Sequence, residues 1–596
     1  MIEDDAIKKS IFNLPISFLE NKREIESHVI TDLELKKTET TKSLYDYVFI
    51  PETVFAEKTI PLWNKYYTTD KNFLKDSQKL IKKINKTKIS KKNGENSERN
   101  KEEEHIQSNQ TQHSNVETVW KEIKAETGFV EKYHYLDWSF FEKFNNNAQF
   151  LQILSIYNMS SPALSLMLPV MFLILPFFML KLQGIPLTAG KYIEILKQIF
   201  KNHQIGQIFN IASASWDKLV YVIISFAFYI LQFYQNIISC INFCKNMKKI
   251  HEQLFITRDY LKTTLEEMRV FREHCKNLPT YSPFIAEMDK YSIVLQHMYD
   301  EFSIITPNKV SFKKFIQIGH IMKCFYQLNK NKSYQESLEY AFGFSGYISN
   351  LNGLCKNIKR KNISACKLSK KDIKFTGAFF PTLVNNNPIK NDYTLDKHVL
   401  ITGPNAAGKT TLLKTTIFNI ILSQQIGCGF YKSARINPYD IIHCYINIPD
   451  TSARDSLFQA EARRCKNILT QIAENNNKIR HFCVFDELYS GTNPYEAIGS
   501  AYAFLTYLNK HKNVKFILTT HYLDLCKRLE VSEETIENYN MKIITDESNA
   551  NNEFKYTYKL QHGISHIKGG VKVLKDLDYP KEIIERTTSI IKELIL

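Results

Sequence analysis

Apolar residues follow three rhythms along this chain, and each rhythm predicts a different kind of element. From about Met247 to Lys370 they recur three and four apart, as in Leu254-Phe255, Leu261, Leu265, Met268 and Phe271. That spacing predicts an all-α region over 247–372, broken near Pro279, Pro283 and Pro307. Upstream the pattern becomes continuous. Ala163 to Leu180 holds eighteen residues without a charge, and Leu219 to Leu231 is almost wholly apolar with an uncharged continuation to Cys244. Both runs are long enough to cross a bilayer, at a gain of about 0.5 kcal/mol per Leu, Ile, Phe or Val inserted. They predict a two-helix transmembrane hairpin, 163–180 and 219–244, within the region 118–246. A pair of buried core helices is the competing assignment, because Pro162, Pro169 and Pro176 each remove a helical hydrogen bond that lipid does not replace.

The third rhythm is a set of short apolar runs, His398 to Thr402, His481 to Phe485 and Val514 to Leu518, which read as buried parallel strands. With the helix-period stretch Thr411 to Gln424 between the first two, they predict an α/β domain over 373–596. The remaining regions say less. Residues 1–77 mix short apolar runs with charge and give no fold. Residues 78–117 are Lys, Asn, Glu, Ser and Gln with almost no large apolar residue after Ile89, the composition of a disordered linker.

At 596 residues the chain has room for three or four structural units. Its 78 basic and 62 acidic side chains, +16 formally, favour a polyanionic partner, either nucleic acid or an anionic membrane surface. Eleven scattered cysteines show neither a zinc spacing nor a disulfide framework, so a reducing intracellular compartment is expected.

The chemistry concentrates where the strands end. Gly403-Pro404-Asn405-Ala406-Ala407-Gly408-Lys409-Thr410 is a complete phosphate-binding loop between a strand and a helix. Its glycines let backbone N–H groups face a β-phosphate, Lys409 reaches the β- and γ-phosphates, and the Thr410 hydroxyl can ligate Mg2+. Thr411 follows in the same turn. The second strand ends in Asp486-Glu487, where Asp486 would hold the metal and Glu487 would polarise the attacking water. The third runs into Thr519-Thr520-His521, whose imidazole can sense the γ-phosphate. ATP and Mg2+ are the cofactors this set implies, and ATP hydrolysis the activity.

Together these stretches resemble the ATPase domain of the MutS family of mismatch-repair and recombination proteins, a P-loop fold of the ABC type. Four segments carry the likeness: TGPNAAGKTT at 402–411; DELYSGT at 486–492 with Tyr495; Thr520-His521-Tyr522 with Leu525; and Tyr558-Lys559-Leu560 leading through Gly563, Ser565 and Gly569 to Pro580. The likeness spans about Ile373 to Leu596 and departs from the family at Ala406-Ala407 and Asn493-Pro494. It implies a lever-like role for the helical region, a dimer of like or unlike chains, and DNA as a partner. It also implies a serine that caps the nucleotide of the opposite subunit, for which Ser456 in Asp455–Glu461 is the candidate; a helix N-cap with Glu461 in solvent fits the same residues. No Leu-Ser-Gly-Gly-Gln segment of transporter type occurs. Phe140-Phe141-Glu142 is the one near match to a mismatch-wedging Phe-x-Glu, and it has no room for the domain that would hold it, so mismatch specificity is not expected. The alternative is an ATP-switched membrane scaffold that does not bind DNA.

Overall fold

The short apolar strands of the C-terminal region pair into one six-stranded sheet. They are β1 (His398–Thr402), β2 (Ile441–Tyr445), β3 (His481–Asp486), β4 (Val514–Thr519), β5 (Ile536–Thr545) and β6 (Phe554–His562), in the order β6-β5-β1-β4-β3-β2. All neighbours are parallel except the β5–β6 hairpin. Every residue of β1 and nearly all of β3 and β4 are buried, which is why these strands read as unbroken apolar runs. Because β4 lies between β1 and β3, it is paired at its C-terminal end with both: Thr519 stands opposite Ile401 on one side and Asp486 on the other. That register gathers the three motif-bearing strand ends at one edge, where open α/β sheets hold their ligands. This is a computed structural model that describes residues 11–593 apart from 39, 93–97, 185–187, 203–215, 308–311, 449–455, 475–478, 546–553, 566–570, 572–573 and 576.

The chain divides into two units, one of Met1–Gln110, Glu267–Lys290 and Glu339–Leu596, the other of Thr111–Glu266 and Tyr291–Leu338. The N-terminal residues therefore belong to the same unit as the six-stranded sheet. Where a disordered linker was expected over 78–117, the backbone forms α1 (Lys71–Lys92) and α2 (Glu98–Ala125). Lys, Glu and Gln are good helix formers. Leu74, Leu80 and Ile81, and then Val116, Val119 and Ile123, are buried at helical spacing. A composition rich in charge is common to disordered segments and to helices, and here the two ends of the segment are helices anchored by those buried residues.

The second unit contains α3 (Ala148–Leu182), α4 (Ala189–Asn202) and most of α5 (Trp216–Cys275), followed by parts of α6 (Ser282–Ser303) and α8 (Lys332–Lys359) and all of α7 (Phe312–Lys330). The prolines at 162, 169 and 176 lie inside α3 without ending it. The first turns of α3 pack on α7 so closely that a Cβ at Gly319 would come within 2.1 Å of the Ala148 carbonyl, and Gly319 N–H donates to Gln152 Oε1 at 2.8 Å. Beyond those turns α3 runs antiparallel to α5. Tyr229 Oη donates to the Ser165 carbonyl (3.0 Å), Asn236 Nδ2 to Ser165 Oγ (2.5 Å), and Cys240 Sγ to the Met159 carbonyl (3.3 Å).

The two halves of α5 differ. Ile250, Leu254, Leu261, Met268 and Phe271 are buried on one stripe. Ile223, Ile224, Phe226, Phe228, Ile230 and Leu231 are exposed and spread over a little more than half of the helix circumference, while Ser225 and Tyr229 on the remaining face are half-buried. Within the described residues the apolar side chains of Ile223 to Leu231 are not covered by protein. Among the described residues one helix, Ile223–Cys275, is long and apolar enough to cross a membrane, where two spans were expected. The other run, 163–180, falls in α3, and several of its side chains lie outside the described residues. Phe140 is exposed in a turn before a short 3-10 helix, and Glu142 accepts a hydrogen bond from Tyr326 Oη.

Candidate active site

The loop after β1 takes the conformation its glycines allow. Gly403 and Gly408 have φ of 147° and 93°, and Ala406 is left-handed at 62°. A side chain at Gly408 would stand 3.1 Å from the ring of Tyr558 on β6. Helix α9 (Lys409–Ile426) starts directly from that glycine, so its unpaired N-terminal amides and its dipole face the cleft. Lys409 is buried, and its ammonium donates to the carbonyls of Gly403 (2.9 Å) and Pro404 (3.2 Å). Burial pushes it below the usual lysine range, against the pull of Glu487 and Asp486. The cleft is about 580 Å3 and is lined by Asn405, Lys409, Thr410, Thr411, Glu487 and Tyr558 among others.

Thr410 Oγ1 donates to Asp486 Oδ2 at 2.7 Å, and Thr519 Oγ1 donates to Asp486 Oδ1. The Thr410 hydroxyl and the Asp486 carboxylate thus lie side by side at the start of the helix, and these two oxygen donors are the ones that would hold a Mg2+, Asp486 through its waters. Glu487 lies beyond the strand in a left-handed conformation, φ 52°, which turns its side chain away from that of Asp486. Its Oε1 is 2.9 Å from His521 Nε2, and the same nitrogen is 3.1 Å from Lys409 Nζ. One nitrogen cannot both accept from the ammonium and donate to the carboxylate, so its proton decides which partner it holds. The bond from His521 holds the Glu487 carboxyl below its usual range despite partial burial. Lys409, Thr410, Asp486, Glu487 and His521, expected from separate motifs, thus come together.

Ser456 stands apart from this cluster. It is exposed at the start of α10 (Leu457–Glu474), where Gln459 N–H donates to Ser456 Oγ (3.3 Å) and Ser456 N–H to Gln459 Oε1 (2.9 Å), a reciprocal cap. Asp455 and Gly569 lie outside the described residues. The cap fits the alternative reading of this segment, but Glu461, in solvent on that reading, is buried and bonded to the turn after Glu487. The signal that could have found it is weak: a carboxylate five residues past the cap, on a helix whose apolar face begins at the same turn.

Residues 399–595 match the family model of MutS domain V. The segment is similar to MutS. Its relatives include the DNA mismatch repair protein MutS of Parabacteroides distasonis, 35% identical over 214 residues that are 35% of this chain and 23% of that protein. The protein of the same name from Bacteroides fragilis is 33% identical over 213 residues, 35% and 24% of the two chains. That of Persephonella marina is 32% identical over 214 residues, 36% and 23%. The chain therefore spans about a quarter of the length of these MutS proteins, and the likeness covers the segment that holds β1, the phosphate-binding loop, Asp486, Glu487 and His521.

Proposed function

We propose that this chain binds and hydrolyses ATP with Mg2+ at composite sites between two MutS-like segments, and couples the rearrangement of that dimer to DNA. The observation that carries the reading is the convergence of a buried Lys409 with Glu487 and His521 where β1, β3 and β4 end. The residues fit the metal as well: Thr410 and Asp486 would hold Mg2+, which would neutralise phosphate charge. Lys409 would exchange its loop carbonyls for the β- and γ-phosphates. As it leaves His521, the imidazole stays with Glu487 and fixes the carboxylate for the attacking water. Ser456, exposed on its own chain, would cap the nucleotide of the partner. The deciding experiment compares Lys409→Ala, which should lose ATP binding, with Glu487→Gln, which should bind ATP and lose turnover. Near-wild-type hydrolysis by Glu487→Gln would remove that residue from its role.

DNA enters through the +16 charge and the mismatch-repair function named for the relatives. Binding should fall steeply with salt and show less than about tenfold preference, roughly 1.4 kcal/mol, for a G·T over a G·C duplex. A larger preference would mean that a wedge-bearing surface exists after all.

A second reading has its own observation. The uncovered apolar turns of α3 and α5 fit a hairpin inserted in a bilayer, with Lys245, Lys248 and Lys249 on the intracellular, ATP-containing side. An anchored chain that never touches DNA would be an ATP-switched membrane scaffold. Salt-dependent DNA binding separates that scaffold from an anchored DNA-binding ATPase, and carbonate-resistant pelleting separates either from an unanchored chain.

A further inference from the structure

The turn after Glu487 is held by a residue of the helix that Ser456 begins. Glu461 is 2% exposed, and its carboxylate takes three hydrogen bonds from that turn. Oε1 accepts from Ser490 N–H (3.1 Å) and Ser490 Oγ (3.0 Å), and Oε2 accepts from Gly491 N–H (3.1 Å). The turn needs such a hold. Glu487 and Tyr489 are both left-handed without being glycine, φ 52° and 59°, a conformation that persists only where neighbours over-determine it. Tyr445 Oη takes the Tyr489 N–H (3.3 Å), and Gly491 lies so close to the first turn of α10 that a Cβ there would come within 2.9 Å of Leu457 and Phe458. Packing and hydrogen bonds therefore fasten the Glu487 turn to the start of α10.

We infer that Glu461 is a positioning residue that transmits the docking of Ser456 on the partner's nucleotide to the Glu487 carboxylate of its own chain. This rests on the composite-site reading above. A displacement of the first turn of α10 cannot leave Ser490 and Gly491 in place without breaking three bonds to a buried carboxylate, which has no water to fall back on. The two sites of a dimer then report to each other. Occupation of one sets the hydrolytic geometry of the other.

The test is a double-mutant cycle in the full chain with Glu461→Gln and Ser456→Ala, reading ATP turnover and, separately, affinity for a fluorescent ATP analogue. The amide keeps one accepting oxygen and turns an N–H2 group toward Gly491. Glu461→Gln should lower turnover about tenfold or more and leave affinity within about twofold, and adding Ser456→Ala to it should cost little further. Glu461→Asp, which keeps the carboxylate, should recover part of the loss. Should Glu461→Gln not fold, Ser490→Ala removes a single donor and should give a smaller loss that is again not compounded by Ser456→Ala. Losses that multiply, or a Ser456→Ala chain with unchanged turnover, would overturn the coupling and make Glu461 a local brace. A wild-type chain without ATP hydrolysis would instead sink the reading of the site itself.

Discussion

The strand ends around the phosphate-binding loop and the projecting turns of α3 and α5 depart from ordinary burial in opposite directions. At the first, charged and polar groups are inside: Lys409, Thr519 and Glu461 are buried, and each has partners within hydrogen-bonding distance. At the second, large apolar groups are outside: Phe178 and Phe228 are 57% and 66% exposed, and their helix neighbours are similarly bare. A buried polar group without a partner costs about 1–3 kcal/mol, so the first arrangement persists only as a complete set. Exposed apolar area costs about 25 cal/mol per Å2 against burial, so the second is where a cover of lipid or protein would stabilise the chain most. The two places should answer to different perturbations, one to the loss of a single charge and the other to the loss of apolar area.

The sharpest separation comes from Lys409→Ala. Removing a buried charge from its partners costs about 3–5 kcal/mol, so nucleotide affinity should fall about 10²–10⁴-fold in equilibrium binding, while association with phospholipid vesicles stays as in the wild type. Loss of both together would break the division. Glu487→Gln should follow, lowering turnover about 10²–10⁴-fold with affinity retained, as measured by steady-state hydrolysis beside nucleotide binding. On the other side, replacing Phe226, Phe228 and Ile230 by Gln removes apolar groups worth about 1.5–3 kcal/mol each when fully buried. The triple variant should lose vesicle flotation tenfold or more and keep its ATP turnover; unchanged flotation would mean that these turns are covered by something other than lipid.

Buried histidines test the polar side by pH. His443 Nε2 and His481 Nδ1 are 3.0 Å apart, and burial holds His443 at about 3 and His481 at about 4, against 6.5 for a free imidazole. Because the folded values are depressed, the unfolded chain binds more protons across that window, and stability should decline as pH falls from about 6.5 toward 4. Replacing His481 by Gln should flatten the decline by up to about 1.4 kcal/mol per pH unit in thermal or denaturant unfolding, and an unchanged slope would show the imidazole to be solvated. The smallest effect belongs to Asn236→Leu. It breaks the bond to Ser165 Oγ, worth about 0.6 kcal/mol if it lies in a membrane, and should loosen the α3–α5 pair slightly without changing flotation.

The sequence was most informative where chemistry demands fixed residues at fixed spacing. The phosphate-binding loop needs its glycines and Lys409, so its residues could be named from the sequence, and the structure gathers them with the strand-end Asp486, Glu487 and His521 named by the same logic. Strand order could not be read, because the placement of β4 between β1 and β3 depends on pairing across more than a hundred residues. Glu461 was hidden for a related reason: its partners Ser490 and Gly491 are distant in sequence, and a lone glutamate on a helix is usually solvated. The helices at the two ends of 78–117 were missed because the few apolar residues that anchor them, Leu80, Ile81 and Val116, were outweighed by the charge around them.

The most direct single measurement is flotation of the full chain with phospholipid vesicles after a carbonate wash, with ATP hydrolysis assayed in the floated fraction. The expected result is that the chain floats and hydrolyses ATP, and that Lys409→Ala floats equally well without hydrolysis. A chain that stays at the bottom of the gradient while hydrolysing ATP would contradict the membrane half of the account, and a floated wild-type chain without hydrolysis would contradict the nucleotide half.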